Sequence, residues 1–211
     1  MIKISVKGLA KFMTSSAVTQ RKILRDYKYP DPEGKAQAIY YRESRDFITA
    51  FHKNGSDSNW LIERADNLAK LSRVVDGHTK TRLSHNARAL REYSNHFGHK
   101  KFEILQNMKL ELLFSDVIIS IYPDLHIREK GQEKIVKLEF SSEQPNPQVI
   151  KIVSQAMFEA VSNSGLNLPS RNVLYIDVPR GTSHKGARVG ARMRKEIEAA
   201  CENIKAIWDS I

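Results

Sequence analysis

The sequence contains a single cysteine, Cys201, and no apolar run near the roughly 18 residues that a membrane helix needs. One cysteine excludes an internal disulfide and a cysteine-rich zinc site. We expect Cys201 to be a small buried hydrophobe on the last helix. The N-terminal stretch also lacks the continuous hydrophobic core and small-residue cleavage site of a secretory signal. These absences predict a cytoplasmic protein without a membrane segment.

Several catalytic signatures are absent too. There is no Gly-x-Ser-x-Gly elbow, no HExxH pair and no Gly-Lys-Ser/Thr phosphate loop. Four histidines fall close together, at His78, His85, His96 and His99, but they lack cysteine partners and zinc-ligand spacing. The aromatic residues are scattered, which argues against a stacking platform for single-stranded nucleic acid.

Positive charge is abundant and unevenly placed. The 34 Lys and Arg residues exceed the 24 Asp and Glu residues, giving a net charge of +10. Residues 1–100 carry 19 basic and 10 acidic side chains, whereas residues 101–150 carry 6 basic and 8 acidic ones. This pattern favours a polyanion, such as a nucleic acid, bound around an acidic centre. The alternative interpretation is a solvated basic surface that only improves solubility.

The first 98 residues are predicted to form a basic helical region, because apolar residues recur there at helical spacing between capping and breaking residues. Asp31 and Pro32 are expected to open the second helix, and Gly77 to stop the third. No helix-turn-helix spacing is evident. The predicted helices span about 16–25, 32–53, 58–76 and 81–97.

Residues 99–211 are predicted to form an α/β (α+β) core with a mixed sheet, either as a second domain or as part of one continuous domain. Three consecutive, mostly antiparallel strands are expected, with residues 117–122 pairing as a hairpin with residues 135–140. Asn146 and Pro147 should cap and open a helix that extends to about residue 163. A buried, parallel-type strand at 173–178 and a final helix complete the order.

This element order resembles the PD-(D/E)xK nuclease superfamily over about residues 85–211. The resemblance implies a restriction-endonuclease-like core, with an aspartate ending the second strand and an acidic-x-Lys pair on the third. Together these residues would hold one or two divalent metals for phosphodiester hydrolysis. Pro123-Asp124 matches the first motif, and Lys137 matches the lysine of the second. The resemblance further implies a role in bacterial defence or DNA processing.

The sequence departs from that pattern at Ile135, which stands where the acidic residue is expected and cannot bind a metal. Glu139 lies two residues after Lys137, on the same face of the strand, and is the nearest substitute. Asp124 and Glu139 would then hold Mg²⁺ or Mn²⁺ while Lys137 assists the attacking water. Gln155, on the following helix, matches a glutamine found near the metal in several branches of the superfamily. Two interpretations stay open, an active nuclease and a degenerate site.

A basic segment near the C-terminus is the best candidate for a phosphate-backbone contact. Residues 180–195 contain six cationic side chains and no acidic ones, and they lead into a helix N-terminus. We therefore predict a nucleic acid partner, DNA before RNA, with a homo-oligomer or a partner subunit as a further option. A catalytically inactive binding or scaffold subunit is the alternative to the nuclease. The six predicted contacts are Arg180, Lys185, Arg188, Arg192, Arg194 and Lys195.

Overall fold

The computed structural model describes residues 1–30, 40–187 and 190–211. Over these ranges the chain forms seven α-helices and two mixed sheets, which confirms the predicted mixed class of helices and strands. The helices are α1 (Val6–Met13), α2 (Ala17–Lys28), α3 (Arg42–Lys53), α4 (Ser58–Arg73), α5 (Gly77–Phe97), α6 (Pro147–Asn163) and α7 (Ala191–Trp208). The strands are β1 (Ile2–Ser5), β2 (Glu103–Ile104), β3 (Leu110–Phe114), β4 (Val117–Ile121), β5 (Leu125–Glu129), β6 (Gln132–Glu139), β7 (Val173–Asp177) and β8 (Thr182–Lys185).

The larger sheet has five strands in the order β2-β5-β6-β7-β8. Strands β5 and β6 form an antiparallel hairpin, and β7 runs parallel to β6 after a crossover through α6. Asn146 caps α6 by accepting a hydrogen bond from the backbone N–H of Gln148 at 2.8 Å, and Pro147 is the first helical residue, as predicted. The apolar run at 173–178 is likewise confirmed as a buried parallel strand.

The smaller sheet corrects the predicted strand pairing. Residues 117–121 do not pair with residues 135–140, because β4 lies between β1 and β3 in a separate three-stranded sheet. The hairpin partner of β6 is β5. A tight turn at Ser115 and Asp116 joins β3 to β4, and the φ angles of 49° and 65° of these two residues suit a two-residue hairpin loop. That turn contains no glycine, so its sequence signal is weak.

Alternate residues of β6 and β7 point into two different cores, as the two-residue period of a strand requires. One core contains Ile135 and Val173 and is built with α1, α2, α6, α7 and the smaller sheet. The other contains Val136 and Leu174 and is built with α3, α4 and α5. Cys201 is buried in the first core, as expected.

Three further predictions bear on the helical half. The helix opening at Asp31 and Pro32 lies outside the described residues up to position 39, and its described part is α3. Gly77 was expected to stop a helix, but it is instead the first residue of α5. No helix in the described ranges is long and apolar enough to cross a membrane.

Candidate functional site

Asp124 lies just before β5, directly across the hairpin from Lys137. Its carboxylate is only 5 % exposed, and its Oδ2 accepts a hydrogen bond from the backbone N–H of Leu138 at 2.8 Å. The Lys137 ammonium lies 3.0 Å from the same oxygen and also donates to the carbonyl of Tyr122 at 3.0 Å. Arg45, from α3, brings its Nε within 3.8 Å of Oδ1. Two cations therefore neutralise one nearly buried carboxylate.

Glu139 follows two residues after Lys137 on the same face of β6, as the strand period predicts. Its Oε2 accepts hydrogen bonds from the Lys7 ammonium at 2.8 Å and from the Tyr175 hydroxyl at 2.6 Å. Its Oε1 accepts from the backbone N–H groups of Phe140 and Ser141. Burial alone would raise the pKa of Glu139, but Lys7 and these hydrogen bonds outweigh it and lower the pKa to about 2.

A third carboxylate, Asp177, lies beside Glu139 across the parallel β6–β7 pair. It is 1 % exposed and forms an ion pair with Arg180 at 3.1 Å. The pKa of the neighbouring Tyr175 hydroxyl is raised, first by burial and then by Glu139, Asp177 and Asp124. Glu139 thus accepts a hydrogen bond from one buried hydroxyl, and Asp177 lies beside Glu139 at this end of the sheet.

Gln155 is buried on α6 and its side-chain amide donates to Glu159 Oε1 at 2.6 Å. Both residues are less than a tenth exposed, so they are not a solvated flank of the helix. Within the described part of the chain, Gln155 forms no hydrogen bond with Asp124, Lys137 or Glu139. Its predicted placement near a metal remains a prediction.

The predicted basic segment is divided among several structures. Arg180 donates to Asp177 and to the carbonyl of Ser142, and its predicted contact with a phosphate backbone stays a prediction. Lys185 ends β8 and is exposed, whereas Arg188 lies outside the described residues. Three more cations lie on the exposed first turns of α7, where two of them pair with a glutamate one turn later. These three are Arg192, Arg194 and Lys195.

The arrangement does not fit a divalent metal ion. Among the described residues, no three His, Cys, Asp or Glu side chains are grouped so that they could hold one. Both Glu139 oxygens already accept hydrogen bonds, and a lysine ammonium lies against each of the two expected ligands, Asp124 and Glu139. Mg²⁺ needs free carboxylate oxygens together with water or phosphate oxygens.

Several residues of this centre were not found by sequence reasoning. Asp177 had a detectable signal, because an acidic residue inside an otherwise apolar buried strand needs a partner. Tyr175 lies in the same run. Lys7 and Arg45 gave no signal, since they come from distant helices and look like ordinary surface cations in the sequence.

No protein-family model matches this sequence, and no curated protein gives a significant match to it.

Proposed function

We propose that this chain is a nuclease-like protein that binds DNA without cutting it. The observation that carries the proposal is that lysines of the same chain contact and neutralise the carboxylates of the site. Lys137 bridges Asp124 and a backbone carbonyl, and Lys7 bonds Glu139. An ammonium group neutralises carboxylates as a metal ion does, but it does not lower the pKa of a bound water as a metal does.

The topology of the larger sheet supports a restriction-endonuclease-like core. Antiparallel β2, β5 and β6, followed by a helical crossover to parallel β7, are compatible with the helix-β-β-β-helix-β order that the resemblance implies, with β3 and β4 inserted in the chain between β2 and β5. Asp124 and Lys137 face each other across the β5–β6 hairpin, although Asp124 precedes a strand of the larger sheet where the resemblance implies that it ends one. Ile135, at the position of the missing acidic ligand, is fully buried in an apolar core. The larger sheet therefore supports the fold that the resemblance implies, whereas Ile135 removes one of the acidic ligands that would bind the metal.

The distribution of paired charges supports a polyanionic partner. Most acidic side chains of the described residues are already engaged in ion pairs within the chain. Cations such as Lys185 and Lys195 remain exposed and, within those residues, have no ion pair. Such a surplus attracts the phosphate backbone and makes binding depend strongly on salt. DNA is favoured over RNA because the resemblance points to DNA enzymes.

A Mg²⁺- or Mn²⁺-dependent nuclease is the second candidate. It is favoured by the position of Glu139 beside Asp177 across β6 and β7, and by Lys137, two residues before Glu139, which contacts Asp124. The Lys7 side chain is 35 % exposed, so it has room to leave Glu139 for solvent. In this candidate Asp124 and Glu139 are the ligands, and cleavage would require both lysines to withdraw.

The decisive experiment measures binding and cleavage together. Fluorescence anisotropy would follow a labelled duplex at several salt concentrations in EDTA, Mg²⁺ or Mn²⁺. Linear, circular and single-stranded DNA, and RNA, would be incubated under the same conditions with the wild type and with Asp124→Ala. We expect duplex binding that weakens linearly in log–log plots against salt and that occurs in EDTA, and we expect no cleavage in EDTA, Mg²⁺ or Mn²⁺.

Two other results would overturn the proposal in different ways. Metal-dependent cleavage by the wild type that is lost in Asp124→Ala would establish the nuclease. Absence of duplex binding at low salt, where electrostatic affinity is greatest, would eliminate both DNA-directed functions.

A further inference from the structure

The N-terminal segment forms two short helices joined by a tight turn. α1 has 8 residues, α2 has 12, and residues 14–16 connect them. A turn of three to four residues between two helices is the connection found in helix-turn-helix units. Sequence reasoning missed the arrangement because it did not predict α1.

Specific contacts fix α2 against α1. The Tyr27 hydroxyl lies 2.6 Å from Ser5 Oγ, and Gln20 donates from Nε2 to the carbonyl of Phe12 at 2.9 Å. A Cβ added at Gly8 would lie 2.2 Å from the Tyr27 hydroxyl oxygen, so the close approach of the two helices requires glycine there. The pair is therefore a defined structural unit.

The outward face of α2 is basic. Leu24 is fully buried and directs one face of the helix into the protein. Val18, Arg21, Lys22 and Arg25 recur at three- and four-residue spacing on the other face, and all four are exposed. Val18 is 81 % exposed and lies one helical turn before Arg21 and Lys22.

Within residues 1–30, basic side chains greatly outnumber acidic ones. Residues 1–30 contain seven Lys and Arg residues and one acidic residue, Asp26. Lys3 and Lys7 pair with glutamates elsewhere, and Lys28 donates to carbonyls of the C-terminal residues. The remaining four cations have no ion pair within the described residues. They are Lys11, Arg21, Lys22 and Arg25.

We infer that α1, the turn and α2 form a helix-turn-helix unit whose second helix docks in the major groove of duplex DNA. The inference rests on the proposed DNA binding and locates its main surface. Arg21, Lys22 and Arg25 contact phosphates and base edges, and Val18 packs against a thymine methyl group. Charge complementarity selects DNA as the occupant, because three of these four exposed residues are cationic and the single acidic residue of α2, Asp26, lies at the edge of the face.

The test compares two triple variants that remove the same charge. Arg21→Gln, Lys22→Gln and Arg25→Gln are combined in one protein. The control combines Lys53→Gln, Lys70→Gln and Arg73→Gln, which are exposed cations of α3 and α4. Anisotropy would be measured with a labelled duplex of about 20 base pairs and with one of its single strands. Circular dichroism would verify that both variants keep the wild-type melting temperature.

We expect the α2 variant to lose at least about 10-fold in duplex affinity. The slope of log affinity against log salt concentration should become shallower by about 3, which is about one for each cation removed. The control should change the affinity less than about 3-fold. Equal losses in both variants, or an equal loss for single-stranded DNA, would overturn groove docking by α2. Full duplex binding by the α2 variant would overturn it too, while leaving DNA binding intact. If the wild type itself did not bind duplex, the proposed function would fail first.

Discussion

At the scale of single residues, Glu139 is a largely buried carboxylate that its neighbours keep ionised. Its side chain is 16 % exposed, and it stays ionised because Lys7, Tyr175 and two backbone N–H groups surround its oxygens. The pKa falls from 4.5 to about 2 on folding. This difference contributes about 3 kcal/mol of stability above pH 4.5, and that contribution is lost as the pH falls from 4.5 towards 2.

Replacing this carboxylate should therefore change the pH dependence of folding. Glu139→Gln should lower the free energy of unfolding by about 2 kcal/mol at pH 7 and by much less near pH 2.5. Urea denaturation at both pH values measures the two differences. Glu111→Gln is the matched control, because Glu111 pairs with Lys3 on the exposed surface and should matter little at either pH. A difference for Glu139→Gln that stays constant between the two pH values would contradict this account.

At the scale of elements, the β5–β6 hairpin sets the register that places Asp124 opposite Lys137. Its two-residue loop consists of Lys130 and Gly131, whose φ angles are 50° and 75°. Both central residues of such a loop adopt positive φ, which glycine and asparagine tolerate better than lysine does. The loop is therefore strained at Lys130 and relaxed at Gly131.

This asymmetry predicts opposite effects at neighbouring positions. Gly131→Ala should destabilise the protein by about 1 kcal/mol, and Lys130→Asn should stabilise it by about 0.5 kcal/mol. Gly131→Asn is the control, because asparagine tolerates a positive φ better than alanine does and should therefore cost less at the same position. Thermal or urea unfolding gives the three values. Equal effects of the two glycine substitutions would show that backbone strain in the hairpin loop is not the cause.

At the scale of the whole molecule, one sheet separates two hydrophobic cores. Strands β6 and β7 contribute side chains to both, so neither core can lose its packing without exposing one face of the shared sheet. The two tryptophans report on different cores, since Trp60 packs against the core of α3, α4 and α5 and Trp208 against the other.

The shared sheet predicts a single cooperative transition. Trp60→Phe and Trp208→Phe each leave one tryptophan as a fluorescent reporter. In each variant, we expect urea unfolding followed by fluorescence and by circular dichroism to have the same midpoint. Fluorescence midpoints that depart from circular dichroism in either variant would mean that the two cores unfold separately.

Features that depend on neighbouring residues were predictable from the sequence. The α6 start at Asn146 and Pro147, the buried strand at 173–178 and the shared face of Lys137 and Glu139 all follow from capping chemistry and strand period. The resemblance also directed attention to Asp124 and Lys137, which the fold brings within 3.0 Å.

Only the tertiary structure decided what those residues contact. Lys7 and Glu139 are separated by 132 positions, and no local pattern links them. The pairing of β4 was equally hidden, because two adjacent apolar runs offer several hairpins of similar local quality, and burial against β1 selects one. The sequence thus determined which side chains can carry charge on one face of the sheet. Long-range packing determined that the chain's own lysines neutralise them, since a nearly buried carboxylate is stable only beside a cation or hydrogen-bond donors.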